Sequence, residues 1–461
     1  LDGVLIVMPS KKKLSAEEKE KILDEAKERF ERCEAWEAEA RDRAAEDEKF
    51  VHGDSDNLYQ WPDRIAKAQE IDNKPCLTIN KVRQHCLMII NDAKQNKPGI
   101  VVHPRSDEAS YEAAQVYEDI IRLIESKSHA ANAYDRATEK QVFTGYGALR
   151  VVTDYCDANT FDQDIHIRGV PDPNTVYFDP DAKERDKSDG RFLFAFDDMP
   201  RDRFKEVYPK ADAEVASPSI DYGGWLSDSH VRVAEYWRVE AKEDTLASWI
   251  NQETGERVTL RKSHVDNPLW KTIKGDDDPS YREREVSEDV IMCYKIAGTE
   301  IIDHYEWAGK FIPFVPVIGE ETVIDGQMDR CGHVRMLKDP QRQYNYYSSA
   351  AVHAVALQTK TPYIGPAAAF EGYEGEWANA NREDLAYLPY NHIDGKAREI
   401  PRPERQSGPE MPPAMIKGME ISQNELMMAS GQYQAQMGEN ENAKSGKAIA
   451  ERQRQGDTAT Y

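Results

Sequence analysis

The chain has no run of apolar residues long enough to span a bilayer and no recognisable secretory leader, so neither a membrane protein nor a secreted one is expected. Its six cysteines (Cys33, Cys76, Cys86, Cys156, Cys293 and Cys331) are scattered, with no CxxC pair. They read as reduced, mostly buried thiols of a protein made in a reducing cytosol. Positive charge is also short. Sixty Lys and Arg stand against 84 Asp and Glu, a net charge of −24. A surface that grips DNA neutralises phosphates with Lys and Arg. Most of this surface cannot do so: nucleic acid is either irrelevant to the protein or passes without sticking.

Catalytic and ligand motifs are missing as well. There is no GxSxG, GxGxxG or HExxH, and the eleven histidines, His333 and His353 among them, form no metal-ligand spacing. Gly438–Ser445 imitates a phosphate-binding loop, but Ala443 stands where the backbone needs Gly, and Glu439 and Glu441 would repel phosphate. The carboxylates from Asp179 to Asp189 do not have the spacing of a calcium loop and read as a solvated turn. No catalytic residue, cofactor or metal is therefore expected.

What is present is 461 residues, 39% hydrophobic and 31% charged, with mean hydropathy −0.76. That length suits two to four domains of unusually polar composition. The chain starts at Leu1 and stops at Tyr461 inside a helix-like stretch, so both ends read as trimmed. Ser15-Ala-Glu-Glu18 is a capping box opening a charged helix to about Lys49. Helices follow at about 61–70 and 79–95, then a strand at 100–102. A long helical region at 110–144 has Val116, Ile120, Leu123 and Ile124 as its core side. From 148 to 317 the pattern is strand-rich, with candidates at 148–154, 165–167, 175–178, 192–196, 230–239, 246–250, 257–260, 290–296 and 299–305. Residues 311–318 read as an extended connector and 328–338 as a short helix. The fold class is α+β.

The organising stretch is Pro340–Gly431. Asp339 and Pro340 look like the N-cap and first residue of a helix reaching Gln358, and Pro412-Pro413 opens a second that stops at Gly431. Each is about 19 residues, roughly 28 Å. Tyr344, Tyr347 and Ala351 on the first, and Met415, Met419 and Leu426 on the second, have heptad spacing suited to a helix–helix seam. Residues 359–410 between them are Pro- and Gly-rich, with a short helix at 374–386 and strands near 363–364 and 397–400. Two matched helices holding out a small module make sense when copies stand side by side in a ring. An ordinary hairpin in a globular core is the alternative. The segment after Gly431 is polar, and Lys444, Lys447, Arg452 and Arg454 form the best local basic cluster, placed to touch a phosphate backbone weakly.

These residues carry a resemblance. The order of elements, Phe311-Ile-Pro-Phe-Val-Pro-Val317, Cys331-Gly-His-Val-Arg335 with Asp339-Pro-Gln341, and Ser445-Gly-Lys-Ala448 through Arg452 resemble the portal proteins of tailed bacteriophages, the short-tailed P22-like branch. Asn80-Lys-Val-Arg83 and Phe178-Asp-Pro180 agree with it. The resemblance implies a homo-oligomeric ring, typically of twelve subunits, at one capsid vertex of the virion, assembled in the host bacterial cytoplasm. It implies a conduit for double-stranded DNA, held weakly and without sequence preference. The implied partners are the large terminase, capsid and scaffolding proteins, and tail or head-completion proteins. By order of elements, 1–52 would be an N-terminal helical segment and 53–325 the wing. Residues 326–358 would lead into the first stem helix and 411–431 would be the second, with 359–410 the clip. Residues 432–445 would be the channel loop and 446–461 the start of a helix toward the crown. Two other readings stay open: a virion connector without a DNA channel, and a soluble hydrolase with a dispersed site.

Overall fold

A computed structural model describes residues 14–97, 99–105, 110–209, 211, 230–250, 257–261, 281–358, 361–393, 395–396, 398–406 and 412–431. Among them are the helices α1 (Ala16–Val51), α2 (Asp63–Ile71), α3 (Val82–Gln95), α4 (Tyr111–Ser128) and α5 (Ala130–Thr144). A β-rich part follows: β1 (Tyr146–Tyr155), β2 (Gln163–Gly169), β3 (Val176–Phe178), β4 (Phe192–Pro200), α6 (Arg201–Val207), β5 (His230–Ile250), β6 (Arg257–Arg261), β7 (Arg282–Ala297), β8 (Glu300–Trp307), β9 (Phe314–Ile318), β10 (Glu320–Ile324) and β11 (Gln327–Cys331). The last elements are α7 (His333–Gln358), β12 (Tyr363–Ile364), α8 (Ala367–Phe370), α9 (Glu374–Asn379), β13 (Glu404–Arg405) and α10 (Pro413–Ala429). Mixed helix and sheet, with the strands gathered in the middle of the chain, is the α+β class the pattern predicts.

The chain divides into two compact units. The first comprises the described residues of Leu1–Asp42, Pro98–Gln141 and Tyr146–Arg330. Its main sheet is antiparallel, in the order β3-β4-β5-β7-β8 with β6 added to β5. Side chains alternate across a strand, and this sheet buries both faces. Phe192, Phe194, Tyr236, Tyr294 and Ile296 form one layer, covered by Ile22, Ala26 and Cys33 of α1. Leu193, Ala195, Trp237, Ile291 and Cys293 form the other, packed on Tyr146, Ala148 and Phe314 of a second sheet ordered β2-β1-β9. Trp237 meets Tyr305, Trp307 and Phe314 edge-on at 5.8, 5.9 and 6.2 Å. A one-residue slip would swap the two layers, so alternation pins the register. Gly147 lets α5 approach β1: a Cβ there would lie 2.2 Å from the Ala137 carbonyl oxygen.

Among the buried charges of this unit is an alternating chain. Arg330 Nη2 donates to Glu37 Oε1 at 3.0 Å, and its Nε donates to Glu321 Oε2 at 2.9 Å. Arg41 Nε donates to Glu37 Oε2 at 2.8 Å, and Lys187 Nζ to Glu321 Oε1 at 2.9 Å. Arg41 also donates to the Val176 carbonyl and lies over the Tyr177 ring. Every member has an opposite charge beside it, which offsets the cost of taking it out of water.

The second unit comprises the described residues of Arg43–Lys97, Val142–Gly145 and Cys331–Tyr461. Phe50, Val82, Cys86, Ile90, Phe143, Val334, Leu337 and Leu426 make its core. Burial pushes the Cys86 thiol of this core, and the Cys293 thiol of the first unit, up to about 12, so both behave as small apolar side chains. None of the six cysteines, all among the described residues, is in a disulfide; Cys33 is also buried, Cys76 and Cys331 are half-buried and Cys156 is exposed.

Several expectations are corrected. The 110–144 region is two helices, because His129 takes a left-handed conformation (φ 49°) between α4 and α5. Val116, Ile120 and Leu123 are exposed rather than core; α4 instead turns Ala114 inward. Residues 100–102 form no strand. The strands expected at 230–239 and 246–250 are one continuous β5, because β7 pairs along both and bridges the polar stretch between them. The connector contains β9, paired with β1. Residues 328–338 are not one helix: β11 ends at Cys331 and α7 begins at His333. Pro340 accordingly lies inside α7, not at its start. A proline there has no N–H to give the carbonyl of residue 336, and Met336 is exposed. The helix at 374–386 is only α9, and the second small strand is β13, not 397–400, which makes an isolated bridge between Ile393 and Glu399.

Candidate functional site

Within the second unit α7 and α10 form an antiparallel pair. Tyr347 lies against Gly418, Gln343 beside Ser422, and the Ser430 carbonyl 3.2 Å from His333 Nε2, so one helix descends as the other rises. Gly418 is the close-contact point: a Cβ there would lie 2.6 Å from Tyr347 Cζ. Ser422 donates back to the Gly418 carbonyl at 2.9 Å, which satisfies a hydroxyl with no exposure. Leu426 is fully buried in the cluster with Val334 and Leu337. Tyr344 is buried, while Tyr347, Ala351, Met415 and Met419 are half-buried. Val352, Val355 and Leu357 on α7, and Ile416 and Ile421 on α10, remain between 42% and 51% exposed. That is a large apolar surface for two adjacent helices.

A polar ladder that periodicity did not reveal fixes the base of the pair. Gln341, Asn345 and Ser349 recur every fourth residue on one side of α7. They treat the extended chain at 77–82 as a sheet edge would. Gln341 Oε1 accepts from the Lys81 and Val82 N–H groups at 3.0 and 3.3 Å, and its Nε2 donates to the Ile79 carbonyl at 2.7 Å. Asn345 Oδ1 accepts from the Ile79 N–H at 3.0 Å, and its Nδ2 donates to Gln60 Oε1 at 2.9 Å. Gln60 donates in turn to the Phe50 carbonyl, and Ser349 Oγ accepts from the Leu77 N–H. Lys81 then reaches across: its ammonium lies over the Tyr344 ring and donates to Gln423 Oε1 of α10 at 3.0 Å. The legible signal was the four-residue spacing of amides on a helix otherwise lined with small residues. Asp47, fully buried, anchors the start of α7 through Arg335 and Lys338.

The segment between the helices is a module with its own small core. Trp377 meets Tyr363 and Phe370 edge-on at 5.0 and 5.1 Å, and its indole N–H donates to the Pro389 carbonyl at 2.7 Å. β12 and β13 pair beside it. Asn391 donates to the Glu371 carbonyl, and Arg405 donates to the Thr361 hydroxyl, closing the module at its neck. Its outer surface carries Tyr387 (81% exposed), Ile364 and Ile393.

The expected basic residues Lys444, Lys447, Arg452 and Arg454, and the whole 432–445 segment, lie outside the described residues. Among the described residues no cluster of His, Cys, Asp and Glu is arranged to hold a metal, and no helix is long and apolar enough to cross a membrane. The carboxylates at 179–189 serve their own turn: Asp189 accepts from the Lys183 and Glu184 N–H groups, and Asp179 from those of Asp181 and Arg191.

Comparison with known proteins points to one kind of protein. A portal protein of Acyrthosiphon pisum secondary endosymbiont phage 1 is 26% identical over 420 residues, which is 88% of this chain. The chain spans 57% of that relative's length. The model of the phage P22-like portal proteins matches residues 27–461, a stretch that reaches into both compact units, and on that match the chain belongs to the phage P22-like portal protein family.

Proposed function

We propose that the protein is the ring-forming portal of a virion, the opening at one capsid vertex through which double-stranded DNA enters during packaging and leaves during ejection. The observation that carries this is the family match over residues 27–461. The antiparallel α7–α10 pair supports it, because its outward apolar residues suit burial by neighbouring copies. In this reading 53–325 is the wing, α7 and α10 are the stem, and 359–410 is the clip. Tyr344, Tyr347, Ala351, Met415, Met419 and Leu426 make the seam inside one stem. Residues 432–445 line the channel, and Lys444, Lys447, Arg452 and Arg454 centre the DNA.

The charge balance suits such a conduit. At −24 per chain the ring repels a polyanion over most of its surface, so DNA is confined by shape and not held by affinity. The portal needs no chemistry of its own. A terminase docks on the clip and supplies the work, tail factors replace it, and capsid and scaffolding proteins surround the wing.

Native mass measurement with averaged electron-microscope images tests the ring. A closed assembly of about a dozen copies with a central hole is expected. A monomer, or an assembly without a hole, overturns it. Removing 359–410 is expected to leave the ring intact and abolish terminase docking; docking that survives overturns the clip assignment.

A further inference from the structure

The main sheet of the first unit ends on an open edge. Among the described residues β8 pairs with β7 on one side and with no strand on the other. Such an edge offers a row of backbone N–H and C=O groups to any strand laid beside it. A cavity of about 1140 Å³ wraps this edge and reaches both faces of the sheet. His304, stacked on Tyr294, lines it from the layer under α1. Tyr305 and Trp307, edge-on to Trp237, line it from the opposite layer. Leu14 and Ile22 flank the first side, and Val151 and Ile165 of the second sheet flank the other.

Leu14 is also the point at which the described chain begins, and residues 1–13 lie outside it. Within them Val4, Leu5, Ile6, Val7 and Met8 are five apolar residues in a row, in a chain of mean hydropathy −0.76. A strand with one wet face alternates apolar and polar residues, whereas a short unbroken apolar run suits a strand covered on both faces. Three of the five are β-branched, and Pro9, with no N–H to give a ladder, ends the run.

We propose that residues 4–8 form a strand added to the open edge of β8, their side chains filling the cavity alternately on its two sides. The lengths agree. Residues 9–13 bridge up to roughly 20 Å between Met8 and Leu14, and a five-residue strand covers about 17 Å of the roughly 26 Å of β8. Leu14 in the cavity wall tethers the segment there, and a short tether holds its effective concentration at about the millimolar level, ahead of any free peptide. DNA is a poor occupant, because Glu18, Glu25, Glu240 and Glu306 line the cavity. The proposal stands apart from the portal reading and does not need the ring.

Hydrogen exchange followed by mass spectrometry tests it on the full chain, over β8 and over β4, which is paired on both sides. In the parent, β8 is expected to be protected along both of its edges. Leu5→Asp and Ile6→Asp together place a charge on each side of the added strand. They are expected to speed exchange in β8 by about 10-fold or more and leave β4 unchanged. A parent whose β8 exchanges as an open edge, or a double variant whose β8 exchanges like the parent, overturns the proposal. Protection of β8 that fades on dilution gives the edge to a second copy and overturns it too, because pairing within one chain does not depend on concentration. A double variant that loses protection in β4 as well is replaced by Ile6→Ser, held to the same outcomes.

Discussion

Gly418 shows how one position sets the spacing of two helices. By helix propensity alone, replacing an internal Gly with Ala stabilises by about 1 kcal/mol. Here the added methyl would meet the Tyr347 ring, so the sign is expected to reverse. Gly418→Ala should lose about 1–3 kcal/mol in chemical denaturation, the usual cost of overpacking. A gain in stability would show that the ring moves aside freely. Glu37 has a different role. It is the carboxylate between Arg41 and Arg330, and Glu37→Ala leaves a buried guanidinium with one partner fewer. About 3 kcal/mol should be lost in the same measurement.

The same charges set a pH dependence. Burial alone would raise the Glu321 carboxyl, but the Arg330 guanidinium and the Lys187 ammonium outweigh it and hold it below its ordinary value of 4.5. A carboxyl depressed on folding contributes stability that is fully present above its unfolded value and lost as pH falls through the folded one. Denaturation midpoints should therefore drop as pH falls below about 4.5, and Glu321→Gln should flatten that part of the profile. An unchanged profile would mean the pairing is already screened by water. Neither the 37–330 pairing nor the Gly418 contact was legible in the sequence. Glu37 and Arg330 are 293 positions apart, and nothing in the local pattern of either names the other.

Among the described elements, α7 joins several parts of its unit. Its apolar residues hold Phe50 and Leu426, its small residues admit α10, and Gln341, Asn345 and Ser349 hold the 77–82 segment. Asn345→Leu would leave the Ile79 N–H and the Gln60 amide oxygen buried without their partner. A loss of about 2–4 kcal/mol is expected, with faster hydrogen exchange at Leu77, Ile79 and Lys81. If exchange there is unchanged, the ladder does not hold that segment. Element type was largely legible where a period was long and clean: α1 with its capping box, the β4 strand, and α10 with Pro at its start and Gly after its end. Boundaries failed where tertiary partners outvoted local signals. Pro340 reads as a start, yet the packing of Val334 and Leu337 with Leu426 carries helix through it. The polar middle of β5 reads as a gap, yet β7 pairs along all of it.

For the molecule as a whole, the excess of acid bears on the proposed assembly. Chains of charge −24 repel one another at long range, so their contacts must be short-range and apolar, or locally paired. Assembly should therefore strengthen as salt is raised from about 0.05 to 0.5 M, because the screening length falls from more than 10 Å to a few ångströms. Sedimentation at the two salt concentrations checks this, and weaker assembly at high salt would place ion pairs at the interfaces instead. The exposed apolar residues of α7 and α10 are the surfaces that screening would let meet.

Composition, alternation and helical spacing act between near neighbours in the chain, and they determined the α+β class, the paired helices with a module between them, and the unfriendliness of the surface to phosphate. Tertiary structure alone decided which apolar stripes are filled within one subunit and which are left open. A helix pattern shows that a face must be buried but not by whom, and α4 and α10 have similar stripes with opposite fates.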